Sequence, residues 1–367
     1  MRKTEGNTFR VKRLAGLSAL ICVLVMSTVI QASAISTKTQ SSWCLFPSDF
    51  TSTVKNKDFH VKEYKYGYGK KNAVNYIKTS KSDNRRVTFK TRYLLPTKYV
   101  SQRWGNPQSM TMDNETGYLY VLYTVRADSS TGWIVRYDTR RLAEYKISYK
   151  QLATATKSGN SALDKKLKRC IKYGPKFTTG HGQSLSFNPV TGELWEIKDT
   201  TMNVKPGSYA TLQRINTSTL KPDAAIKFRL KSSVAMGHNL TFDSEGNAYF
   251  FTYSGSGKWK GSVKIYKGWI SKDSVNFELI PQGLKHNPGP HSQGMGYDEY
   301  RNRIVLVADG CIVSVPVDKL GELKPGDVWQ TNFKTKREFE NVTFDKDGYM
   351  YLISNRDPEL FRSTEIY

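Results

Sequence analysis

Apolar and polar positions alternate with a period of two in five separate segments of the chain, and each segment continues through a turn into a second apolar run. Such alternation predicts β-strands, and a turn carrying Asp or Asn between two such runs predicts a hairpin. The starts of the segments lie 75, 55, 55 and 47 residues apart. A recurring unit therefore organises the chain from about residue 100 onwards. The five copies are QSMTMDNETGYLYVL from Gln108, QSLSFNPVTGELWEI from Gln183, HNLTFDSEGNAYFF from His238, QGMGYDEYRNRIVLV from Gln293 and ENVTFDKDGYMYLI from Glu340.

Further strand-like runs follow each hairpin. A third strand is indicated after every copy, as in WIVRYD (133–138), and a fourth after several, as in AAIKFRL (224–230). Four short antiparallel strands in roughly 50 residues are typical of a β-propeller blade. The sequence therefore predicts an all-β fold, with a five-bladed β-propeller over residues 101–367. A β-sandwich and an open β-solenoid are the competing architectures.

The last unit stops after three strands, at Tyr367. Residues 85–95 (RRVTFKTRYLL) and 59–66 (FHVKEYKY) precede the first copy and have strand character without an obvious partner. We expect one of them to complete the last unit, because closure would remove an open sheet edge. Residues 35–100 are thus predicted to form an N-terminal segment that contributes the closing strand or strands.

The first 34 residues have the features of a signal peptide. Five basic residues precede an apolar core at 14–30, and Ala-Ser-Ala at 32–34 is a small-residue cleavage site. A retained membrane anchor is the alternative, although an apolar run of this length is short for a spanning helix. We expect cleavage after Ala34 and a secreted, extracellular protein.

Charge narrows the choice of partners. The formal net charge is +24, and it falls to +20 once the signal peptide removes five basic residues and one acidic residue. For an extracellular protein this surplus favours anionic cell-wall polymers or glycans of the bacterial envelope, and anionic lipid head groups at the membrane surface, over nucleic acid. Lysines stand among aromatic residues at 62–71 and 254–269, a mixture that suits a phosphate-bearing glycan. The alternative is that the charge only keeps a monomeric protein soluble.

The repeat phrases resemble the helveticin J-type class III bacteriocins of lactic acid bacteria. The resemblance covers about residues 100–355 and rests on HGQSLSFNPVTGELW from His181, NLTFDSEGNAYFF and HSQGMGYDEYRNRIVLV from His291. Members of that family are heat-labile antibacterial proteins that act on related Gram-positive cells. The resemblance implies a bacteriocin-like antibacterial protein that binds the envelope of related bacteria, and it provides no catalytic residues. A wall-associated, lectin-like adhesin and a propeller glycoside hydrolase are the alternatives.

The first strands of propeller blades line the central channel, so the residues that open the five copies are expected to converge at one mouth. Convergent polar groups around a cavity are typical of a ligand site. The opposing interpretation is that they only bond to loops or to channel water. The candidate ligand-binding residues are Gln108, His181, Gln183, His238, His291, Gln293 and Glu340, with Asn106, Met236 and Glu338 at equivalent flanking positions.

Neither a metal nor a cofactor is predicted. The chain has no CxxC pair, no HExxH and no phosphate-binding loop, although three histidines with Glu340 are a conceivable metal set. Glu340 and Glu338 are the only acids at the repeat openings, and they are the carboxylates that a glycosidase interpretation requires. Cys44, Cys170 and Cys311 remain after cleavage, which leaves either one disulfide and one thiol or three buried thiols.

Overall fold

The computed structural model describes most of the chain after the predicted signal peptide. His238, Met236 and Cys44 lie outside the described residues, as do residues 1–34 and 60–66, on which predictions were made. The described residues are 35–43, 45–46, 50–59, 67, 69–70, 72–96, 98–99, 102–103, 105–126, 129–155, 159–198, 209–230, 239–254, 257–289, 291–355 and 357–367.

The fold is all-β with several sheets, as the alternation predicts. The strands before the first sequence repeat are β1 (Ser36–Trp43), β2 (Leu45–Phe46), β3 (Ser52–Val54), β4 (Tyr76–Asp83), β5 (Thr88–Leu94), β6 (Lys98–Tyr99) and β7 (Gln102–Arg103). Repeat 1 contains β8 (Asn106–Asp113), β9 (Tyr118–Thr124), β10 (Thr131–Asp138), α1 (Thr139–Glu144), α2 (Tyr149–Leu152), α3 (Ala162–Cys170), β11 (Ile171–Tyr173) and β12 (Phe177–Thr178).

The other four repeats are built almost entirely of strands. Repeat 2 contains β13 (Ser186–Asn188), β14 (Glu193–Ile197), β15 (Tyr209–Asn216) and β16 (Lys221–Arg229). Repeat 3 contains β17 (Thr241–Phe242), β18 (Ala248–Tyr253), β19 (Val263–Ile270), β20 (Val275–Leu279) and β21 (Gln282–Leu284). Repeat 4 contains β22 (Ser292–Asp298), β23 (Arg303–Ala308), β24 (Cys311–Pro316) and β25 (Trp329–Phe333), and repeat 5 contains β26 (Phe339–Phe344), β27 (Met350–Ser354) and β28 (Glu359–Ser363). Short 3₁₀ turns lie at Gly257–Trp259, Val317–Lys319 and Pro325–Asp327.

Within each repeat, consecutive strands pair antiparallel. The orders are β8-β9-β10-β11, β13-β14-β15-β16, β17-β18-β19-β20, β22-β23-β24-β25 and β26-β27-β28. The hairpins and the third and fourth strands predicted from the sequence are therefore confirmed. The long interval after the first repeat forms α3, which begins at the N-cap Ser161, whose hydroxyl accepts a hydrogen bond from the Asp164 amide at 3.1 Å.

The N-terminal segment runs along the outer strands of four repeats. Strand β1 pairs in parallel with β16, β2 in parallel with β20 and β3 in parallel with β21. Strand β4 pairs with β25, and β5 pairs antiparallel with β28, so residues 85–95 complete the last repeat as predicted. The hairpin of β4 and β5 also joins repeats 4 and 5 into one nine-stranded sheet, which the sequence did not predict.

The first strands of the five repeats contact one another in a closed cycle. β8 contacts β13, β13 contacts β17, β17 contacts β22, β22 contacts β26, and β26 contacts β8. The small residues of the alternating pattern form hydrogen bonds between neighbouring first strands. The Ser109 hydroxyl accepts a hydrogen bond from the Leu185 amide at 3.2 Å, and the Thr343 hydroxyl accepts one from the Met112 amide at 3.1 Å. At Gly296 a Cβ would lie 2.6 Å from the Val342 carbonyl oxygen, so only glycine permits this approach.

The core lies between neighbouring sheets and not within one central layer. One cluster combines Phe251 of repeat 3 with Leu306 of repeat 4, and another combines Trp195 of repeat 2 with Phe250 of repeat 3. Cys170 and Cys311 are both free and buried, so these two do not form a disulfide. Among the helices of the described residues, none has the length and apolar character needed to cross a membrane.

Candidate functional site

Four of the predicted mouth residues lie buried at the starts of first strands. Gln108 lies in β8, Gln293 in β22 and Glu340 in β26, while Gln183 lies three residues before the start of β13. Each opens a repeat, and the closed cycle of first strands directs these openings to one end of the ring. Burial of amide and carboxyl groups requires hydrogen-bond partners, so their contacts show how this end of the cycle of first strands is organised.

Three of these residues meet directly. The Gln183 side-chain amide donates to the Gln293 side-chain oxygen and to Glu340 Oε2, the latter at 3.0 Å. Gln293 Nε2 in turn donates to Asp309 Oδ1 at 3.3 Å, and the same oxygen accepts from the Phe339 amide at 2.9 Å. We call Gln183, Gln293, Asp309 and Glu340 the channel cluster; it draws on repeats 2, 4 and 5.

The surroundings of Glu340 favour its neutral form. Burial raises the pKa of this carboxyl well above its usual range, and the neighbouring carboxylates of Glu338 and Asp309 raise it further. Hydrogen bonds from Gln183 and Asn355 act in the opposite direction without reversing the shift. A carboxyl group whose pKa is raised by burial is a candidate proton donor to a bound molecule.

The remaining predicted residues lie outside the four residues that define the channel cluster. Gln108 Nε2 lies 3.5 Å from the carbonyl of the adjacent Pro107, and no described residue bonds its Oε1. His181, His291 and Glu338 are partly exposed, whereas the cluster itself is buried. The described residues contain no group of three His, Cys, Asp or Glu side chains arranged to hold a metal.

The backbone ties two of the flanking positions to the cluster. The Asp309 amide donates to the His291 carbonyl at 3.3 Å, and the Asn355 amide donates to the Glu338 carbonyl at 3.0 Å. Asp309 and Asn355 both follow second strands of their repeats, in sequence positions typical of turns. Sequence reasoning missed them for that reason, although an Asp-Gly pair at 309–310 was visible as a hairpin signal.

A cavity of about 200 Å³ lies at the opposite end of the first strands. Residues from all five repeats line it, including Thr111, Phe187, Phe242, Tyr297 and Phe344. Three acids of the neighbouring turns are engaged in the turns themselves. Asp113 Oδ1 accepts from the Glu115 and Thr116 amides at 3.0 and 3.2 Å, and Asp243 and Asp345 make equivalent bonds.

A second buried acid, Glu196 on β14, was not predicted. Burial raises its pKa well above the usual range, and Gln213 donates to its Oε1 at 2.6 Å. The Gln213 amide also donates to the Thr178 carbonyl at 2.8 Å, so this acid is held between repeats 1 and 2. Glu196 resembles Glu340 in burial and protonation, but no contact links it to the channel cluster.

Comparison with known proteins was made at the level of families, curated sequences and solved structures. No family model matches the chain, and no curated protein matches it. Among solved structures, a "glucose dehydrogenase" is 11% identical with a TM-score of 0.38, covering 72% of this chain and 97% of that one. The soluble aldose sugar dehydrogenase from Escherichia coli is 9% identical, with a TM-score of 0.38 and coverages of 75% and 99%. A gluconolactonase from Xanthomonas campestris is 11% identical, with a TM-score of 0.38 and coverages of 80% and 98%.

The prediction of a bacteriocin-like antibacterial protein is corrected by this comparison, because the similar solved structures carry the names of sugar-processing enzymes. The physical reason for the error lies in the residues that carried the resemblance. Ser109 and Thr343 bond the backbone of neighbouring repeats, and Asp113 and Asp243 close turns. The residues that carry the resemblance therefore show how the repeats are built, and they do not indicate an activity.

Proposed function

We propose that the chain is a five-bladed β-propeller closed by its N-terminal segment, and that it is a glycoside hydrolase. The architecture is supported by the closed cycle of five first strands and by the pairing of β5 with β28. The buried Glu340, whose pKa burial raises well above its usual range, lies beside a second acid, Glu338, and this arrangement carries the functional proposal. This activity was the second alternative that the sequence left open.

The proposed roles follow from protonation and exposure. Glu340 protonates the glycosidic oxygen as the bond from that oxygen to the anomeric carbon breaks. Water then supplies a hydroxyl group to the anomeric carbon, and the partly exposed Glu338 accepts the proton that water releases. Gln183 orients Glu340 by donating a hydrogen bond to its carboxyl group. Gln293 holds Gln183 in place by accepting a second hydrogen bond from the same amide. In this scheme the two carboxyl groups differ in protonation because their environments differ.

Two further proposals concern where the enzyme acts. We propose secretion after cleavage behind Ala34, which N-terminal sequencing of the protein from culture medium tests; an intact Met1 in the membrane fraction would contradict it. We also propose that the net charge draws the protein to anionic cell-wall polymers, so binding to isolated walls should weaken as salt rises. The resemblance to helveticin J-type proteins remains a proposal about ancestry and carries no activity here.

The test of the activity uses purified protein and a panel of bacterial wall glycans, with released reducing sugar as the measurement. Glu340→Gln removes the proton donor while keeping the side-chain size, so we expect the rate to fall by about a hundredfold or more. Glu196→Gln is the matched control, because it replaces an equally buried acid outside the channel cluster by its amide, and its rate should equal that of the parent. Thermal unfolding checks that both variants are folded.

Two outcomes would overturn the proposal. Equal rates for Glu340→Gln and the parent would show that Glu340 is not the acid. Binding to the glycans without any release of sugar from the parent protein would instead favour the lectin-like adhesin.

A further inference from the structure

A second cavity, of about 420 Å³, lies at the edge of repeat 3 beside the N-terminal segment. Three parts of the chain form it: the loop between β18 and β19, the residues around β3, and the residues after β21. This is within the size range of small-ligand pockets, about 300–1,000 Å³. The lining residues are Thr53, Asp58, Lys258, Trp259, Lys260, Gly261, Ser262, Lys285, His286 and Asn287.

The described part of the loop between β18 and β19, residues 257–262, is fixed by its own backbone. Gly257 and Gly261 both have positive φ, at 71° and 80°, which favours glycine at these two turn positions. The Gly261 amide donates to the Ser254 carbonyl at 2.8 Å, and the Lys260 amide donates to the Gly257 carbonyl at 3.1 Å. The three successive residues Lys258, Trp259 and Lys260 are thereby presented at the cavity.

The N-terminal segment completes the wall on the other side. The parallel pairing of β3 with β21 places Thr53 opposite Gly283, and the Lys285 amide donates to the Val54 carbonyl at 3.0 Å. Phe50 packs edge-on against Trp259, with ring centroids 5.1 Å apart and an interplanar angle of 82°. The Trp259 ring therefore has a defined orientation at the cavity.

The cavity carries an excess of positive charge. None of the ammonium groups of Lys258, Lys260 and Lys285 forms an ion pair within the described part of the chain. One carboxylate, that of Asp58, lines the cavity, and it lies 3.9 Å from His286 Nδ1. Three lysines without carboxylate partners around a concave surface attract an anionic ligand.

We propose that this cavity binds a sugar phosphate, either free or as a repeating part of a phosphate-linked glycan. The ammonium groups bind phosphate oxygens through charge-assisted hydrogen bonds. The Trp259 ring supplies the apolar face on which a sugar ring stacks. The Lys258 ammonium lies 4.6 Å from the centroid of that ring, and its movement towards a phosphate frees the ring face for the sugar.

The proposed ligand site is independent of the proposed catalysis. β18 runs antiparallel to β17, so the loop that follows β18 lies at the end of repeat 3 where its first strand starts. The channel cluster lies at the same end of the ring, but no residue is shared between the two. Phosphate binding at the cavity is therefore measurable in a Glu340→Gln variant, which should bind the sugar phosphate as the parent does even if the catalytic proposal is wrong.

Calorimetric titration of the purified protein with glucose 1-phosphate tests the proposal, with glucose and inorganic phosphate titrated separately. We expect glucose 1-phosphate to bind more tightly than either component. The double variant Lys258→Gln, Lys260→Gln should weaken its binding about tenfold or more, because two charge-assisted contacts are lost. Lys272→Gln is the control, since its side chain is 58% exposed and pairs with Asp273 in the same repeat.

The aromatic contribution is tested with a matched tryptophan pair. Trp259→Ala should weaken binding of glucose 1-phosphate while leaving that of inorganic phosphate unchanged. Trp269→Ala removes another tryptophan of the same repeat, 45% exposed, and should change neither. Equal losses in the two tryptophan variants, or in the lysine variants and their control, would overturn the proposal, as would absence of binding at millimolar concentration.

Competition experiments separate the sources of the ligand. A glycerol-phosphate polymer that carries sugar substituents should displace glucose 1-phosphate at a lower phosphate concentration than the free compound if the polymer is the natural ligand. Equal potency per phosphate identifies a free sugar phosphate. Tighter binding of a single-stranded oligonucleotide, lost in the same lysine and tryptophan variants, would replace the proposal with nucleic-acid binding.

Discussion

A buried ion pair lies where the N-terminal segment meets the last repeat. Arg337 Nη1 lies 2.9 Å from Glu359 Oε2, and the two side chains are only 6% and 2% exposed. The Asn75 amide donates to both carboxylate oxygens at 3.1 Å, and the Thr91 hydroxyl donates to Oε1. Since Thr91 lies in β5 and Glu359 begins β28, this carboxylate fixes the N-terminal strand to the last repeat.

Glu359→Gln preserves the side-chain size and removes the negative charge. The Arg337 cation then remains buried without its counter-charge, which costs about 3–5 kcal/mol. At an unfolding entropy of about 2.1 cal/mol/K per residue, a unit the length of Ile35–Tyr367 has a total of about 0.7 kcal/mol/K. The unfolding midpoint should therefore fall by about 4–7 °C.

Thermal unfolding followed by circular dichroism at neutral pH measures this shift. Glu193→Gln is the control, because its carboxylate also lies 2.9 Å from an arginine, Arg214, but both side chains are 26% exposed. That exposed pair should contribute less than about 1 kcal/mol. The double variant Arg337→Met, Glu359→Leu should recover part of the loss, since no charge stays buried. Equal shifts for Glu359→Gln and Glu193→Gln would refute the reasoning.

Two further substitutions test single groups by thermal unfolding. Burial raises the pKa of Asp298 to about 6, and the charge of Arg301 partly opposes this shift. The folded protein therefore binds an extra proton between about pH 4 and 6. Its stability falls as the pH rises through that range. Asp298→Asn should therefore gain on the parent by about 3 kcal/mol between pH 4 and 7; a difference independent of pH would contradict this. Phe89→Ala should cost about 3–5 kcal/mol because Phe89 is fully buried against Phe333, whereas its exposed neighbour Lys90→Ala should stay within about 0.5 kcal/mol. Similar costs at these two adjacent positions would show that β5 does not pack as described.

The repeats were predictable because each carries its own signal. Alternating residues with a turn between them specify a hairpin locally, and five such hairpins indicate their common fold without any long-range information. The closing strand was predictable by elimination, since the last repeat lacked a strand and residues 85–95 lacked a partner. Strands β1 to β3 were not predicted, because a polar stretch such as STKTQSSW has no alternation and pairs only where an outer strand offers an open edge.

Only those site residues that open a repeat were predictable from the sequence. Gln183, Gln293 and Glu340 converge because each begins a repeat, and equivalent positions in a ring come together. Asp309 and Asn355 enter the site from loops after second strands, and such positions differ between repeats. The cavity at repeat 3 combines segments about 200 residues apart, such as Thr53 and Lys260, so its lysine-rich loop was visible in the sequence while its other wall was not.

The junction between repeats 4 and 5 differs from the junctions that repeat 1 makes with repeats 2 and 5. A first strand has one edge without a sheet partner, and hydroxyls such as those of Ser109 and Thr343 bond the neighbouring strand across it. Repeat 4 has Gly294 and Gly296 at the equivalent positions, so the strands approach closely but no hydroxyl is supplied. The fully buried Asn341 amide consequently has no hydrogen-bond partner among the described residues.

An unpaired buried amide costs about 1–3 kcal/mol, which stability alone does not favour. It stands in the chain directly after Glu340, the acid whose pKa burial raises well above its usual range. Proteins depart from otherwise consistent local rules mainly at functional sites. The glycine pair, the buried Glu340 and the Asn341 amide, which has no hydrogen-bond partner among the described residues, coincide at one junction, and this coincidence supports the site proposed there.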